Sequence, residues 1–245
     1  IDPATTALVI ASTLVWTALA ARQVAVLMDR EETVLGFDPE PLFAPTEGGQ
    51  RRAIQVAMAL TVVGYFYLGQ WLQARDVVGG LAASLWILLP ALALSSQAIV
   101  RGTPWGWIER LSLRAPRPLA ALGAVAIGVG LVLPMVALQR LLSEFLPAPT
   151  SQLEVFATTF AQMDAWELFA LAALSPAICE EFVFRGIFLG HLRAQGSDRR
   201  AVWWSAFWFA LIHLSVFRFA PTLLLGLALA LIVIRSGSLL PAILL

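Results

Sequence analysis

Cysteine, histidine and charge are all scarce in this 245-residue sequence. Cys179 is the single cysteine, which excludes an internal disulfide, and no Cys/His cluster has the spacing of structural zinc ligands. Charged residues make up 13% of the chain, against roughly 25% in ordinary soluble domains. The net charge is zero, so no overall field attracts nucleic acid. These absences exclude a disulfide scaffold, a structural zinc module and a charge-driven nucleic-acid binder.

Hydrophobic residues, in contrast, make up 59% of the chain. A membrane-spanning helix needs about 20 mostly apolar residues. Seven segments meet this criterion and an eighth begins near Leu239: 5–28, 53–73, 78–100, 118–139, 165–189, 201–217 and 220–235. The sequence therefore predicts an all-α fold, a polytopic helical bundle in a membrane.

Spans six and seven are short and nearly continuous. Only Phe217, Arg218 and Phe219 separate them, which predicts a tight helical hairpin. Pro221 would then lie in the first turn of the second helix, where its missing N–H group is tolerated.

All sixteen basic residues are arginine, and their placement predicts an orientation. The loops after spans one, three, five and seven hold eleven arginines, and the opposite loops hold Arg75, Arg140 and Arg218. Positively charged loops stay in the cytoplasm. We therefore predict a multi-pass protein of the cytoplasmic (inner) membrane with the first set of loops inside.

Residues 29–52 interrupt the apolar pattern with acidic residues, prolines and a Gly-Gly pair, and predict a cytoplasmic linker. The span within 1–28 would then close a preceding module, and 53–245 would form the main membrane domain. The sequence starts at Ile1 and stops at Leu245 inside an apolar run. We therefore expect the chain to be part of a longer protein.

Span five contains three ionisable residues, Glu180, Glu181 and Arg185, in an otherwise apolar segment. Charges inside a membrane are costly and mark functional sites by default. Glu181 and Arg185 are four positions apart, so an ion pair on one helix face is expected. Glu180 points about 100° away and has no local partner. It lies roughly 15 Å from the helix end, too deep for an interfacial explanation.

His213, in span six, lies at a similar depth, roughly 18 Å from the cytoplasmic start of that helix. A lone buried histidine is commonly structural, but the shared depth with the acidic pair favours a common site. His191 is interpreted as a solvated loop residue. Cys179 is interpreted as a packing residue because no cation near it in sequence would activate its thiol.

The run Glu180-Glu181-Phe-Val-Phe-Arg185-Gly186 and the later Phe209-x-x-x-His213 resemble the first two motifs of the CPBP family. This family of intramembrane proteases includes type II CAAX prenyl endopeptidases and bacteriocin-processing or immunity (Abi-like) proteins. The resemblance covers approximately 118–245. A third family motif, a histidine followed by an asparagine four residues later, would be expected just beyond Leu245.

The resemblance implies an endopeptidase that cleaves membrane-associated proteins or peptides. Glu180 would activate the attacking water, Glu181 and Arg185 would hold the site together, and His213 would position water or stabilise the oxyanion. No cofactor is favoured. A metalloprotease-like zinc site, with Glu180 and His213 among its ligands, stays open as an alternative.

The first span and its exit, Asp29-Arg30-Glu31-Glu32, resemble the last helix of an ABC-type permease. That resemblance implies a bacterial fusion protein and an ABC-type ATPase as partner, beside the membrane lipid and a peptide substrate. Two other functions stay open. In one, Glu180, Glu181 and His213 form a proton or ion relay of a transporter; in the other, the bundle is a non-catalytic scaffold.

Overall fold

The computed structural model describes residues 47–96, 111–146 and 150–245. Every regular element within these ranges is a helix, and the only bridge between extended residues there joins Leu113 to Ser238. The predicted all-α class is therefore confirmed for this part of the chain. The predicted first span, 5–28, and most of the predicted linker lie outside the described residues.

Eight helices, numbered here in chain order, make up the described ranges. They are α1 (Glu47–Arg75), α2 (77–96), α3 (Pro118–Phe145), α4 (Thr150–Phe160), α5 (165–194), α6 (Asp198–Leu211), α7 (Val216–Ser236) and α8 (Leu240–Leu244). Three π-helical stretches widen the longer helices. One lies in α2 at Ser84–Leu88, and two lie in α5 at Ala170–Leu174 and Phe182–Phe188.

Four of the described helices are long and apolar enough to cross a membrane. They are Gly48–Arg75, Val77–Ser95, Pro118–Phe145 and Val216–Ser236. This finding supports the predicted membrane protein, but the predicted number of seven or eight spans is not confirmed. The helix α5 has enough residues to cross a membrane, but it carries Glu180, Glu181 and Arg185 and is not one of these four helices.

Several helix boundaries differ from the prediction. The helix α1 begins at Glu47, within the predicted linker, and α5 continues to Ala194, five residues past its predicted end. The helix α4 was not predicted at all. It has 11 residues, so it is too short to cross a membrane.

The predicted turn between α6 and α7 was wrong. Phe217, Arg218 and Phe219 lie in the first turn of α7, and the chain reverses before them. Leu214 ends the helical path with a positive φ of 40°. The side chain of Ser215 then accepts a hydrogen bond from the backbone N–H of Arg218 at 3.3 Å and caps the new helix.

This shift moves two residues from their predicted places. Pro221 lies in the second turn of α7, not in the first. His213 lies in the turn that follows α6, outside the helix in which it was predicted.

The C-terminal half of α5 is the most buried segment of the described bundle. Val183 and Phe184 are wholly inaccessible, and Phe188 is 1% exposed. His191 continues this face and is 2% exposed, so its interpretation as a solvated residue was wrong. The physical reason is that α5 continues past the predicted end, and residues three and seven positions apart share a helix face.

Candidate active site

Arg185 is fully buried in α5 and pairs with a carboxylate one turn earlier. Its Nη1 donates to Oε1 of Glu181 over 2.6 Å, and Glu181 is itself 3% exposed. The ion pair predicted from the i, i+4 spacing is therefore present. Removing one partner of such a pair would leave an uncompensated charge in the core.

A second helix supports the guanidinium through its backbone. Nη2 of Arg185 donates to the carbonyl oxygen of Gly226, in α7, at 3.2 Å. A Cβ at Gly226 would lie 3.0 Å from Cα of Ala206 and 3.1 Å from Cδ1 of Phe209. A side chain at this position would therefore require α6 or α7 to shift by a few tenths of an ångström, and glycine permits the close packing without that shift.

Phe209, in α6, connects the charged pair to the histidine. The guanidinium carbon of Arg185 lies 4.1 Å from the centre of the Phe209 ring, a cation–π contact. The same ring meets Phe184 and His213 edge to face, each at a centroid distance of 5.4 Å. One aromatic ring thus contacts both motifs that were found in the sequence.

His213 is held by the backbone of the preceding helix, α6. Its Nδ1 lies 3.0 Å from the carbonyl oxygen of Phe209. Because a carbonyl only accepts hydrogen bonds, a neutral His213 must carry its proton on Nδ1. Its Nε2 then has a lone pair that can accept a hydrogen bond from water.

Glu180 differs from its neighbour in exposure and in partners. It is half-buried, and among the described residues no cation forms a salt bridge with it. It still lies within electrostatic range of Arg185, which is also in range of His213. Glu181 contacts the guanidinium of Arg185 directly, and His213 contacts the Phe209 ring that lies over that guanidinium.

Sequence reasoning missed Tyr65, a residue of this neighbourhood. It lies on α1, packs against the buried core and is within electrostatic range of both Glu180 and Cys179. No motif marks it, since only the packing of α1 against the rest of the bundle brings it there. Gly226 was missed for the same reason.

The N-terminal half of α5 makes a contact of a different kind. Nε1 of Trp86, in the π-helical stretch of α2, donates to Oγ of Ser175 at 2.9 Å. Ser175 in turn donates to the carbonyl oxygen of Ala170 at 2.7 Å. Cys179 is 3% exposed, in agreement with its interpretation as a packing residue.

The described donor groups do not fit a zinc site. Catalytic zinc usually has three protein ligands. Within the ranges that the structure describes, no three His, Cys, Asp or Glu side chains are close enough to share a metal ion. Glu180 and His213 would supply two ligands at most, one fewer than a catalytic zinc site usually has.

The fold and the site together define a membrane-embedded helical protein with ionisable side chains buried in its core. Residues 162–245 match the family model of type II CAAX prenyl endopeptidase Rce1-like proteins, so this part of the chain is a domain of that protease family. The match includes α5, α6 and α7, which carry the acidic pair, Arg185 and His213. No curated protein and no solved structure matches the chain. The domain is accordingly that of a membrane protease, an enzyme that hydrolyses peptide bonds.

Proposed function

We propose that Glu180 is the general base of this protease and that it activates the water that attacks the scissile peptide bond. The observation that carries the proposal is the contrast between the two adjacent carboxylates. Glu181 is committed to Arg185 over 2.6 Å, whereas half-buried Glu180 has no such ion pair among the described residues. Glu180 therefore has both the access and the lone pairs that a base needs.

The reaction follows from this division of roles. Glu180 takes a proton from water while the oxygen attacks the carbonyl carbon. The resulting tetrahedral intermediate carries a negative oxygen. When the carbon–nitrogen bond breaks, Glu180 returns the proton to the leaving amine.

His213 and Arg185 are proposed to position these groups. The Nε2 lone pair of His213 can accept a hydrogen bond from the attacking water, since Nδ1 is bonded to the carbonyl of Phe209. Arg185 pairs with Glu181 and offsets part of the repulsion between the two carboxylates. A protonated His213 would instead donate to the oxyanion.

We propose further that α5 and the α6–α7 hairpin are inserted in the membrane beside the four apolar helices, as part of a bundle of seven or eight spans. The burial of α5 supports this arrangement, because its ionisable residues are covered by protein. The arginine distribution supports an orientation with the loop after α5 in the cytoplasm. A bacterial inner membrane is the proposed location.

The substrate is proposed to be a membrane-associated protein or peptide. The family match supports peptide-bond cleavage. The proposed ATPase partner depends on the predicted first span, which lies outside both the described residues and the match at 162–245.

Replacement of Glu180 by glutamine tests the proposal without a known substrate. Cells that produce the wild-type chain, Glu180→Gln or the control Glu144→Gln are compared by mass spectrometry of peptide termini in their membrane fractions. Glu144 is an exposed glutamate of α3, so its replacement makes the same chemical change away from the site. Termini made by the wild type and the control are expected to fall roughly 100-fold or more with Glu180→Gln.

Two outcomes would contradict the proposal: equal termini from Glu180→Gln and the wild type, or no termini that depend on the wild type. If no termini depend on the wild type and Glu180→Gln also abolishes the movement of an ion or solute, the transporter with a proton or ion relay is favoured. A parallel incubation with chelator addresses zinc, since activity that persists in chelator contradicts a metal-dependent reaction.

A further inference from the structure

A groove of about 520 Å³ lies where the start of α3 meets the end of α7, away from the acidic site. We call it the arginine groove. Its lining includes Arg117, Leu119, Ile234, Arg235, Ser236 and Gly237. Neither the family match nor the proposed reaction assigns it a role.

The walls of the arginine groove are joined by hydrogen bonds between distant parts of the chain. Leu113 and Ser238 form an antiparallel bridge, and the N–H of Leu239 donates to the carbonyl of Ser112 at 2.9 Å. Oγ of Ser238 also donates to the carbonyl of Arg114. The segment that leads into α3 is therefore attached to the segment that leaves α7.

The charge of the arginine groove is positive. Arg117 and Arg235 are both exposed, and neither forms a salt bridge with a carboxylate of the described residues. Arg117 is also the N-cap residue of α3 and makes no side-chain capping bond. The N-terminal end of α3 contributes partial positive charge and the C-terminal end of α7 partial negative charge, so the positive charge of the groove comes from the two guanidinium groups.

The position of the groove indicates what kind of anion it would meet. Both α3 and α7 are apolar enough to cross a membrane, so the shared end of the two helices lies at the boundary between lipid and water. Below Arg117, the flank of α3 is apolar and open: Leu119 is 80% exposed and Leu122 is 68% exposed. Positive groups above an exposed apolar flank match a phosphate headgroup above its acyl chains.

We propose that the arginine groove binds the headgroup of an anionic phospholipid, with acyl chains along the exposed flank of α3. The two guanidinium groups contact the phosphate, and the apolar side chains of α3 contact the chains. This lipid site is independent of the proposed proteolytic mechanism, because none of its residues belongs to the acidic site.

Native mass spectrometry of the purified full chain tests the site. Phosphatidylglycerol and phosphatidylcholine with identical acyl chains are added to the wild type and to Arg117→Gln/Arg235→Gln. The wild type is expected to retain phosphatidylglycerol roughly tenfold better than phosphatidylcholine. The double variant is expected to bind both lipids equally.

A matched control removes the same charge elsewhere. Arg75 and Arg140 are exposed arginines at other helix ends, and Arg75→Gln/Arg140→Gln should keep the preference for phosphatidylglycerol. The preference should also persist in Arg117→Lys/Arg235→Lys, because the positive charge remains. Phosphatidylglycerol should raise the unfolding temperature of the wild type but not of the glutamine double variant at the groove.

Three results would overturn the proposal. Equal retention of both lipids by the wild type would show that charge does not select the ligand. An equal loss in the two glutamine double variants would show that the effect is not local. Displacement of the lipid by millimolar inorganic phosphate would indicate a site for soluble anions.

Discussion

At the scale of the residue, the feature that decides the site is the way in which a buried charge is compensated. Arg185 has an ionic partner in Glu181, a carbonyl partner in Gly226 and an aromatic surface in Phe209. A guanidinium is tolerated in the core only when such contacts replace its hydration. Because Glu181 is paired with Arg185, Glu180 is the carboxylate that we propose as the base.

The hydroxyl group of Tyr65 is a second feature that can be tested by replacing a single residue. Its phenol lies within electrostatic range of Glu180, and Tyr65→Phe removes this hydroxyl and keeps the ring. If the hydroxyl donates a hydrogen bond to Glu180 during the reaction, we expect kcat to fall roughly tenfold or more, since hydrogen bonds to charged groups contribute about 1.5–3 kcal/mol. The measurement is the rate at which a wild-type-dependent peptide terminus forms.

The control for this change lies two residues away. Tyr67 is 69% exposed, and Tyr67→Phe should leave the rate unchanged. The unfolding temperature should be the same in both variants. If Tyr65→Phe retains wild-type kcat, its phenol has no part in the reaction.

At the scale of the element, departures from regular helix coincide with the site. Arg185 lies inside the π-helical stretch Phe182–Phe188, and Oγ of Ser205 in α6 donates to the carbonyl of Phe184 there, at 3.1 Å. Such stretches occur frequently at functional sites. The close packing of α6 against α7 then brings both the Phe209 ring and the carbonyl of Gly226 to the guanidinium.

Gly226→Ala tests this close packing. The added Cβ would lie 3.0 Å from Cα of Ala206, so α6 and α7 must separate and the bond from Arg185 to the carbonyl of residue 226 must weaken. We expect a destabilisation of about 1–3 kcal/mol, measured by denaturant unfolding in detergent.

The matched control is Gly130→Ala in α3, where a Cβ would meet no atom within 4 Å. There the change should stabilise the helix by up to about 1 kcal/mol, because alanine favours the helix over glycine. Equal effects at the two positions would show that α6 and α7 do not depend on a glycine at their crossing.

At the scale of the whole molecule, the proposed topology makes the two ends of α5 face opposite sides of the membrane. Cysteines can be placed at the exposed positions Gln162 and Gly196 in a Cys179→Ala background. In intact cells, a membrane-impermeant maleimide should label Gln162→Cys. Gly196→Cys should react only after permeabilisation, because the arginine-rich loop is predicted to be cytoplasmic.

Each position serves as the control for the other, since the reagent and the background are the same. Labelling of both positions in intact cells, or of neither, would show that α5 does not cross the membrane. Labelling of Gly196→Cys alone would reverse the proposed orientation.

The amino-acid sequence by itself determined the membrane class, the helical architecture and the pairing of Glu181 with Arg185. These follow from properties that are local along the chain: the hydropathy of each segment and the 3.6-residue helical period. The placement of His191 was wrong, and so was the turn at Phe217–Phe219. Both errors concern the position at which a helix begins or ends, which the hydropathy of the segment does not specify.

The tertiary structure alone decided which distant residues meet. Tyr65, Phe209 and the carbonyl of Gly226 come from three helices, and no spacing in the sequence relates them to Arg185. Two helices can approach closely where one of them has a small residue, as α7 has at Gly226. Whether they do so depends on the shapes of both helix surfaces together. For this reason the sequence could identify the buried charges of the site, but only the packed bundle could identify their partners.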